Sequence, residues 1–259
     1  ALALRQSGAF SSIEVYEQTK EPTTAGAGLN IPPNGARICR WLGVDLDGGN
    51  PKGPQGAIDG GRAAILVSSR QFNEDGSMTE RPFDHVTATG DGAGFHHMHR
   101  LDLLMCLHKR VLEFGPDSGK PCPITVHMDS RLTELRQTAD DVTATFSNGL
   151  VATGGVLMGA DGINSATLEA AWPSLRPKRW TEVICFRGLI PRADVAALRK
   201  ADGSPLDNNP IDSFSMDRHK TDTSAVTSYW VRGGELLNVW IAHYEPESTE
   251  FEQEEGDWF

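Results

Sequence analysis

The run Gly154-Gly155-Val156-Leu157-Met158-Gly159-Ala160-Asp161-Gly162-Ile163-Asn164-Ser165 limits the fold of this chain more than any other stretch. Three apolar residues, Val156 to Met158, predict a buried strand. The small residues after them predict a tight turn, and Asn164 or Ser165 can cap a following helix. In an α/β sheet this corner is where a strand's carboxyl end opens onto a ligand crevice. Gly159, Ala160 and Gly162 allow another backbone or a ligand to come close, and Asp161 is the only charge in the run. A lone corner of this kind suits any strand-turn-helix protein, so the other segments decide its meaning.

The amino-terminal residues supply the first of them. Ala1 to Gly8 has the composition of the second half of a helix stopped by glycine. Ser12 to Glu17 alternates apolar and polar residues and ends on a carboxylate. Helix, short loop, strand and terminal acid make the second half of a dinucleotide-binding βαβ unit, whose acid accepts hydrogen bonds from a ribose hydroxyl pair. The first half, a strand and a glycine-rich turn, is expected upstream of Ala1. The chain is therefore expected to be truncated there.

Thr23 to Gly35 is a glycine- and proline-rich loop, followed by a helix from Ala36 to Leu42 that stops at Gly43. Such a loop can lie flat against a planar ligand or simply connect two elements. Residues 48–62 read as loop. Strands are predicted from Arg62 to Gln71 and from Met78 to Val86 about a turn at Asn73 to Gly76. A helix is predicted from Phe95 onward, with Leu101, Leu104, Leu107, Val111 and Leu112 as its apolar face. His96, His97 and His99 invite a metal reading, but no further ligand falls at an obvious spacing, and no metal site is expected. Arg100, a cation in a helix's first turn, opposes the helix dipole and needs an anionic partner as its reason.

Four short strands follow: Ile124 to Met128, Leu132 to Gln137, Val142 to Phe146 and Leu150 to Met158. Asp140-Asp141 and Asn148-Gly149 mark hairpin turns. A second sheet is predicted from Val183 to Ile190, Ile211 to Met216, Ala225 to Val231 and Glu235 to Tyr244, with Arg232 to Glu235 as its last turn. Composition agrees with a soluble globular protein, at 39% hydrophobic and 23% charged residues. The net charge of −11, with an acidic cluster from Glu245 to Asp257, argues against a nucleic-acid backbone or an anionic membrane as partner. No run is apolar enough for a membrane span. The scattered Cys39, Cys106, Cys122 and Cys185 suggest free thiols in a cytoplasmic protein.

Six stretches in order resemble the FAD-dependent aromatic hydroxylases, the salicylate-hydroxylase-like branch of single-component flavin monooxygenases. They are Val15 to Gln18, Gly26 to Gly35, His99 to Leu104, Gly159 to Ser165, Phe186 to Ile190 and Val231 to Asn238. The resemblance implies an α/β protein. Its Rossmann-like FAD-binding domain (1–60 and 97–175, incomplete) is interrupted by a mostly antiparallel β-sheet substrate domain (61–96 and 176–259). It also implies the roles of individual residues. Glu17 would hold the adenosine ribose with Gln18 beside it, the backbone at Leu132 would touch the adenine half, and Arg100 would reach the phosphate or ribityl region. The loop with Gly26 and Gly28 would lie along the isoalloxazine, with Asn30 facing the substrate. Asp161 and Gly162 match the family's Asp-Gly motif, associated with FAD and the pyridine nucleotide. That motif usually closes with an arginine, where this chain has Ala166, Thr167 and Leu168. The family's second FAD motif would follow the second sheet, so truncation is expected at this end too.

The implied reaction hydroxylates a phenolic or carboxylated aromatic small molecule with FAD, NADPH or NADH, and O2. Flavin supplies the oxygen chemistry, while the protein orients the ring and keeps water away. A base facing the cavity helps to activate a phenol. His219 and Tyr229 are the candidates, against competing readings as a surface histidine and a packed strand tyrosine. Arg187 could bind a substrate carboxylate, as could Arg232, although a hairpin-turn arginine is expected to face solvent. Two alternatives stay open: another FAD oxidoreductase of the same fold, or a degenerate fragment that binds no flavin. A homodimer is also left open.

Overall fold

The computed structural model describes residues 1–22, 27–44, 46, 62–63, 66–72, 75, 77–82, 95–175, 183–199, 203–204, 213–219 and 225–244. The expected loop at 48–61, most of the turn at 73–76, Gly26 and the acidic cluster after Tyr244 lie outside the described residues. In chain order the elements begin with α1 (Leu2–Gln6), β1 (Ile13–Tyr16), β2 (Gly28–Ile31), α2 (Pro33–Trp41), β3 (Arg62–Ala63), β4 (Leu66–Phe72) and β5 (Met78–Pro82). Next come β6 (His96–His99), α3 (Arg100–Leu112), β7 (Ile124–His127), β8 (Leu132–Gln137), β9 (Val142–Phe146), β10 (Val151–Gly154) and α4 (Ala166–Ala171). The last are β11 (Val183–Pro191), α5 (Arg192–Ala197), β12 (Ser213–His219), β13 (Ala225–Val231) and β14 (Leu236–Tyr244).

By its contacts the chain divides into two compact units, one of residues 1–23 and 111–181, the other of 24–110 and 182–259. In the first unit β1 and β7 pair in parallel, with Ile13 opposite Ile124 and Tyr16 opposite His127. Parallel pairing requires a long crossover, so these strands come from distant parts of the sequence. Tyr16 stacks on both His127 (ring centroids 4.7 Å apart) and Phe146 (4.1 Å). β8, β9 and β10 form the predicted antiparallel meander. Gly149 in its second turn has φ +84°, which an L side chain rarely adopts. β7 belongs to the parallel pair instead of the meander, a regrouping that strand propensity alone does not encode.

The expected buried strand at Val156 to Met158 is a correction. β10 ends at Gly154, and Val156 and Met158 are 68% and 66% exposed. Among the described residues no strand pairs with this run, and only Leu157 of its three apolar side chains is half-buried.

The second unit holds the predicted second sheet, enlarged. Its order is β11-β14-β13-β12-β4-β5, antiparallel throughout except for the parallel pair of β12 and β4. The expected hairpin of two strands about residues 73–76 forms its edge as β4 and β5. A smaller sheet has β6 at its centre, between β2 and β3. Here the predicted helix start at Phe95 is corrected. His96 to His99 is a strand with all four positions buried, and the helix begins at Arg100. A central strand covered on both faces loses the polar–apolar alternation that would have marked it. The apolar face expected for α3 is also revised, because Leu104 and Leu112 are exposed and its fully buried residue is Asp102.

α2 begins with Pro33 in its first turn, where a missing N–H costs nothing. Gly43, at φ +72°, ends it. The Arg110 Nε donates to the Leu42 carbonyl at 3.1 Å, placing a cation at the negative end of that helix.

Candidate functional site

The candidate residues fall on both units, and each set can be built from its own scaffold. In the first unit, Glu17 follows β1 at the carboxyl end of the parallel pair. Its backbone N–H donates to the His127 carbonyl at 2.9 Å, and its own carbonyl accepts from the Ser130 N–H at 2.8 Å. The side chain is exposed, and its Oε1 accepts from the Thr19 N–H at 2.9 Å. Gln18, also exposed, accepts from the Arg131 Nε at 3.3 Å. Leu132, next along, starts β8 opposite Phe146 and is half-buried. Glu17, Gln18 and the start of β8 are thus tied together by hydrogen bonds at the end of two parallel strands, the position at which open α/β sheets take ligands.

Asp161 lies on the corner that leads into α4. Its Oδ1 accepts from the Ser165 hydroxyl at 2.5 Å, and its Oδ2 accepts from the Thr167 N–H at 2.9 Å. Partial burial pushes its pKa up, but the bonds from Ser165 and Thr167 outweigh this and hold the carboxyl below the usual carboxylate range. Ser165 caps α4 as expected, its Oγ accepting from the Leu168 N–H at 3.0 Å. Gly162 has φ +76°, so the turn itself requires a glycine there. A Cβ at Gly159 would meet the Thr167 Cγ2 at 2.8 Å, so that glycine serves the corner's own packing. A shallow polar depression lined by Glu134, Arg136, Thr143 and Thr145 includes none of the candidates.

In the second unit the register brings Asn30 directly opposite His97, and the Asn30 Oδ1 lies 2.8 Å from the His97 Nδ1. His97 is 3% exposed and stacks on Tyr229 of β13, their ring centroids 4.7 Å apart. Tyr229 in turn pairs with Asn238 of β14. Asn238, 1% exposed, accepts from the Gly28 N–H at 2.7 Å. Gly28, Asn30, His97, Tyr229 and Asn238 therefore form one interlocked polar cluster. A Cβ at Gly28 would lie 2.7 Å from the Asn238 Cβ and 2.8 Å from the Tyr229 Cε2, so its glycine is required by this packing.

Burial also sets the charge states. It lowers the His97 pKa to about 3, with His96 adding to the effect, so the imidazole is neutral. Burial pushes the Tyr229 hydroxyl well above the ordinary phenol range, against a smaller downward pull from Arg187. Burial therefore favours the neutral form of the Tyr229 hydroxyl. Arg187 sits in β11 opposite Trp240, two positions from Leu189, which pairs with Asn238. Strand alternation puts it on the same face as Asn238 and Tyr229, and it is exposed. His219 closes β12 opposite Phe72, whereas Tyr229 lies opposite Phe214.

Arg100 opens α3 and is exposed, and its N–H donates to the Ala27 carbonyl at 3.1 Å. The expectation that Arg232 faces solvent is corrected. Its Nη2 and Nε donate to the two oxygens of Asp102 at 2.8 and 3.0 Å, and Asp102 is only 1% exposed. Arg232 has φ +51° in the turn between β13 and β14, which aims its side chain at the first turn of α3. Sequence reasoning missed this pair, and it missed the roles of His97 and Asn238. Each depends on a partner far away in the chain, and no local pattern announces it.

Among the described residues no group of histidine, cysteine or acidic side chains could hold a metal ion, and no helix is long and apolar enough to cross a membrane.

The fold of the chain is similar to those of solved proteins that include FAD complexes and a hydroxylase. The structure of Klebsiella pneumoniae HpxO complexed with FAD and uric acid matches 97% of this chain and 54% of that one, with a TM-score of 0.62 and 21% identity. No protein-family model matches the chain. Curated proteins do. Hispidin-3-hydroxylase of Neonothopanus nambi is 26% identical over 266 residues, covering 100% of this chain and 57% of its own length. The FAD-dependent monooxygenase cfoG of Aspergillus candidus is 28% identical over 255 residues, covering 96% of this chain and 54% of its own. These relatives support the family that the sequence motifs resemble, the FAD-dependent aromatic hydroxylases. The chain spans about half the length of the curated relatives it matches.

Proposed function

We propose that this chain is part of an FAD-dependent monooxygenase that hydroxylates a phenolic or carboxylated aromatic small molecule, with NADPH or NADH and O2 as co-substrates. One observation carries the reading: near-complete alignment of the chain with proteins named as FAD-dependent monooxygenases and hydroxylases.

The donor set fits the cofactor. Glu17 presents an exposed carboxylate at the carboxyl end of a parallel strand, the acceptor that a ribose hydroxyl pair needs. Gln18 and the start of β8 at Leu132 flank it. The Asp161 corner, with Gly162 at positive φ, offers a second exposed carboxylate on the same unit. Gly26 and Gly28 are assigned to the isoalloxazine by resemblance alone; for Gly28 the structure also supplies a separate packing reason. Arg100 is exposed at the start of α3, as a phosphate or ribityl partner must be.

When bound, FAD supplies the reaction with oxygen. The chain's own residues bind and orient the ring. Arg187 offers a cation to a substrate carboxylate on the face that carries Tyr229. Burial favours the protonated Tyr229 hydroxyl, which can donate or accept a hydrogen bond. His219, the last residue of β12, is the other candidate base.

The test is direct. The purified complete protein should carry flavin absorbance, and its NAD(P)H oxidation should accelerate when a hydroxylated or carboxylated aromatic is added, with one oxygen atom gained by the product. A colourless protein with no flavin affinity would remove the reading. NAD(P)H oxidation indifferent to any aromatic would favour a different FAD oxidoreductase.

A further inference from the structure

We propose that His97 is a positioning residue that turns the Asn30 amide so that its NH2 donates to an acceptor oxygen on the aromatic substrate. The pair then selects ring compounds that carry a carboxylate, phenolate or carbonyl oxygen. This inference rests on the proposed reading of Asn30 as a substrate-facing residue and gives that reading a chemical specificity.

The geometry begins with the register. β2 and β6 are antiparallel, with Asn30 opposite His97, so the two side chains share a face. The short contact joins the amide oxygen to Nδ1 at 2.8 Å. An amide oxygen only accepts, so in this arrangement Nδ1 carries the proton. The ring has little freedom to turn. It is buried, stacks against Tyr229 and meets Phe95 edge-on at 5.4 Å. Nor does it change its proton count at working pH, because burial and the neighbouring His96 hold it neutral. A neutral imidazole with one fixed N–H sets the amide's orientation, much as outer groups fix the ligands of a metal. With its oxygen engaged, the half-buried Asn30 presents its NH2 as the amide's remaining polar end. A ring with an acceptor oxygen gains a hydrogen bond there. A ring without one leaves that donor unmet, which is the asymmetry that makes polar sites selective.

Two measurements test this. Long-range 15N–1H spectra should show His97 as the Nδ1–H tautomer with no titration between pH 5 and pH 9. An Nε2–H tautomer, or titration inside that range, overturns the proposal, and neither result depends on flavin or turnover. In the complete flavin-loaded protein, binding of 4-hydroxybenzoate and of toluene is then compared by perturbation of the flavin spectrum. His97→Phe and Asn30→Ala should each cut the preference for 4-hydroxybenzoate about tenfold, the worth of one well-made hydrogen bond to a charged acceptor. The double variant should lose no more than Asn30→Ala alone, and His97→Gln, which can donate to the amide oxygen, should restore most of the preference. An unchanged preference in a folded His97→Phe protein, or additive losses in the double variant, overturns the proposal while the monooxygenase reading stands. A wild type that carries flavin but binds neither probe overturns the selector role, and a wild type without flavin fails the wider reading first.

Discussion

Replacing Gly28 with alanine is the sharpest probe of the cluster that joins the small sheet to the large one. The added methyl would lie 2.7 Å from both the Cβ and Cγ of Asn238 and 2.8 Å from the Tyr229 ring. Neither neighbour can step aside. Asn238 is fully buried close to its own backbone in β14, and the Tyr229 ring is braced by the stacked His97. Relief must come from moving β2 outward, which lengthens the 2.7 Å bond from the Gly28 N–H to the Asn238 Oδ1. Overpacking of this kind costs about 1–3 kcal/mol. Losing the buried hydrogen bond adds about 1 kcal/mol, so a total of about 2–4 kcal/mol is expected. For a chain of this size that lowers the melting temperature by about 5–15 °C. Gly188→Ala is the matched control, a strand glycine of the same unit with nothing within 4 Å of the added Cβ, and it should change stability by less than about 1 kcal/mol in either direction. Thermal and urea unfolding of both variants would settle the matter. A Gly28→Ala protein as stable as wild type, or a Gly188→Ala protein equally weakened, would refute the packing account.

Three further outcomes are expected. Arg232→Ala leaves the buried Asp102 charge unmatched and should cost about 3–5 kcal/mol in urea unfolding, whereas replacing both residues with apolar ones of similar size should cost clearly less. Asp161→Asn should flatten the acid limb of stability: a carboxyl held below its usual range stabilises above pH 4 or so, and that contribution disappears as pH falls through the depressed value. His97 has the opposite chemistry and the same direction. Its folded form stays neutral down to about pH 3, so the unfolded chain binds the extra proton between there and about pH 6.5, and stability falls as pH drops through that window, by at most about 1.4 kcal/mol per pH unit. Urea midpoints of wild type and His97→Phe across pH 3 to pH 7 should diverge in slope; parallel curves would contradict the buried, neutral assignment.

What could be read from the sequence was what acts locally. Asn148-Gly149 and the Arg232-Gly233-Gly234 turn were legible because positive φ selects residues at the turn itself. The strands of the large sheet announced themselves through β-branched and aromatic runs, and Ser165 through its cap. The misreadings share one cause. His96 to His99 looks polar until β2 and β3 cover it, Val156 to Met158 looks buried although nothing described pairs with it, and Arg232 looks solvated until Asp102 is found beside it. In each case the environment comes from residues far away in the chain, and neither composition nor periodicity carries that information.

The parallel seam between β12 and β4 has a bearing on how this protein reaches its native state. Leu66 pairs with Ser213, so the hairpin of β4 and β5 emerges from the ribosome long before β11 to β14, which complete its sheet. Until then the hairpin presents an open, unpaired edge of backbone donors and acceptors, the feature that most readily recruits other nascent chains. Distant pairing of this sort slows folding, and recombinant yield should therefore respond to slower synthesis and to chaperone supply more than to the stability of the finished sheet.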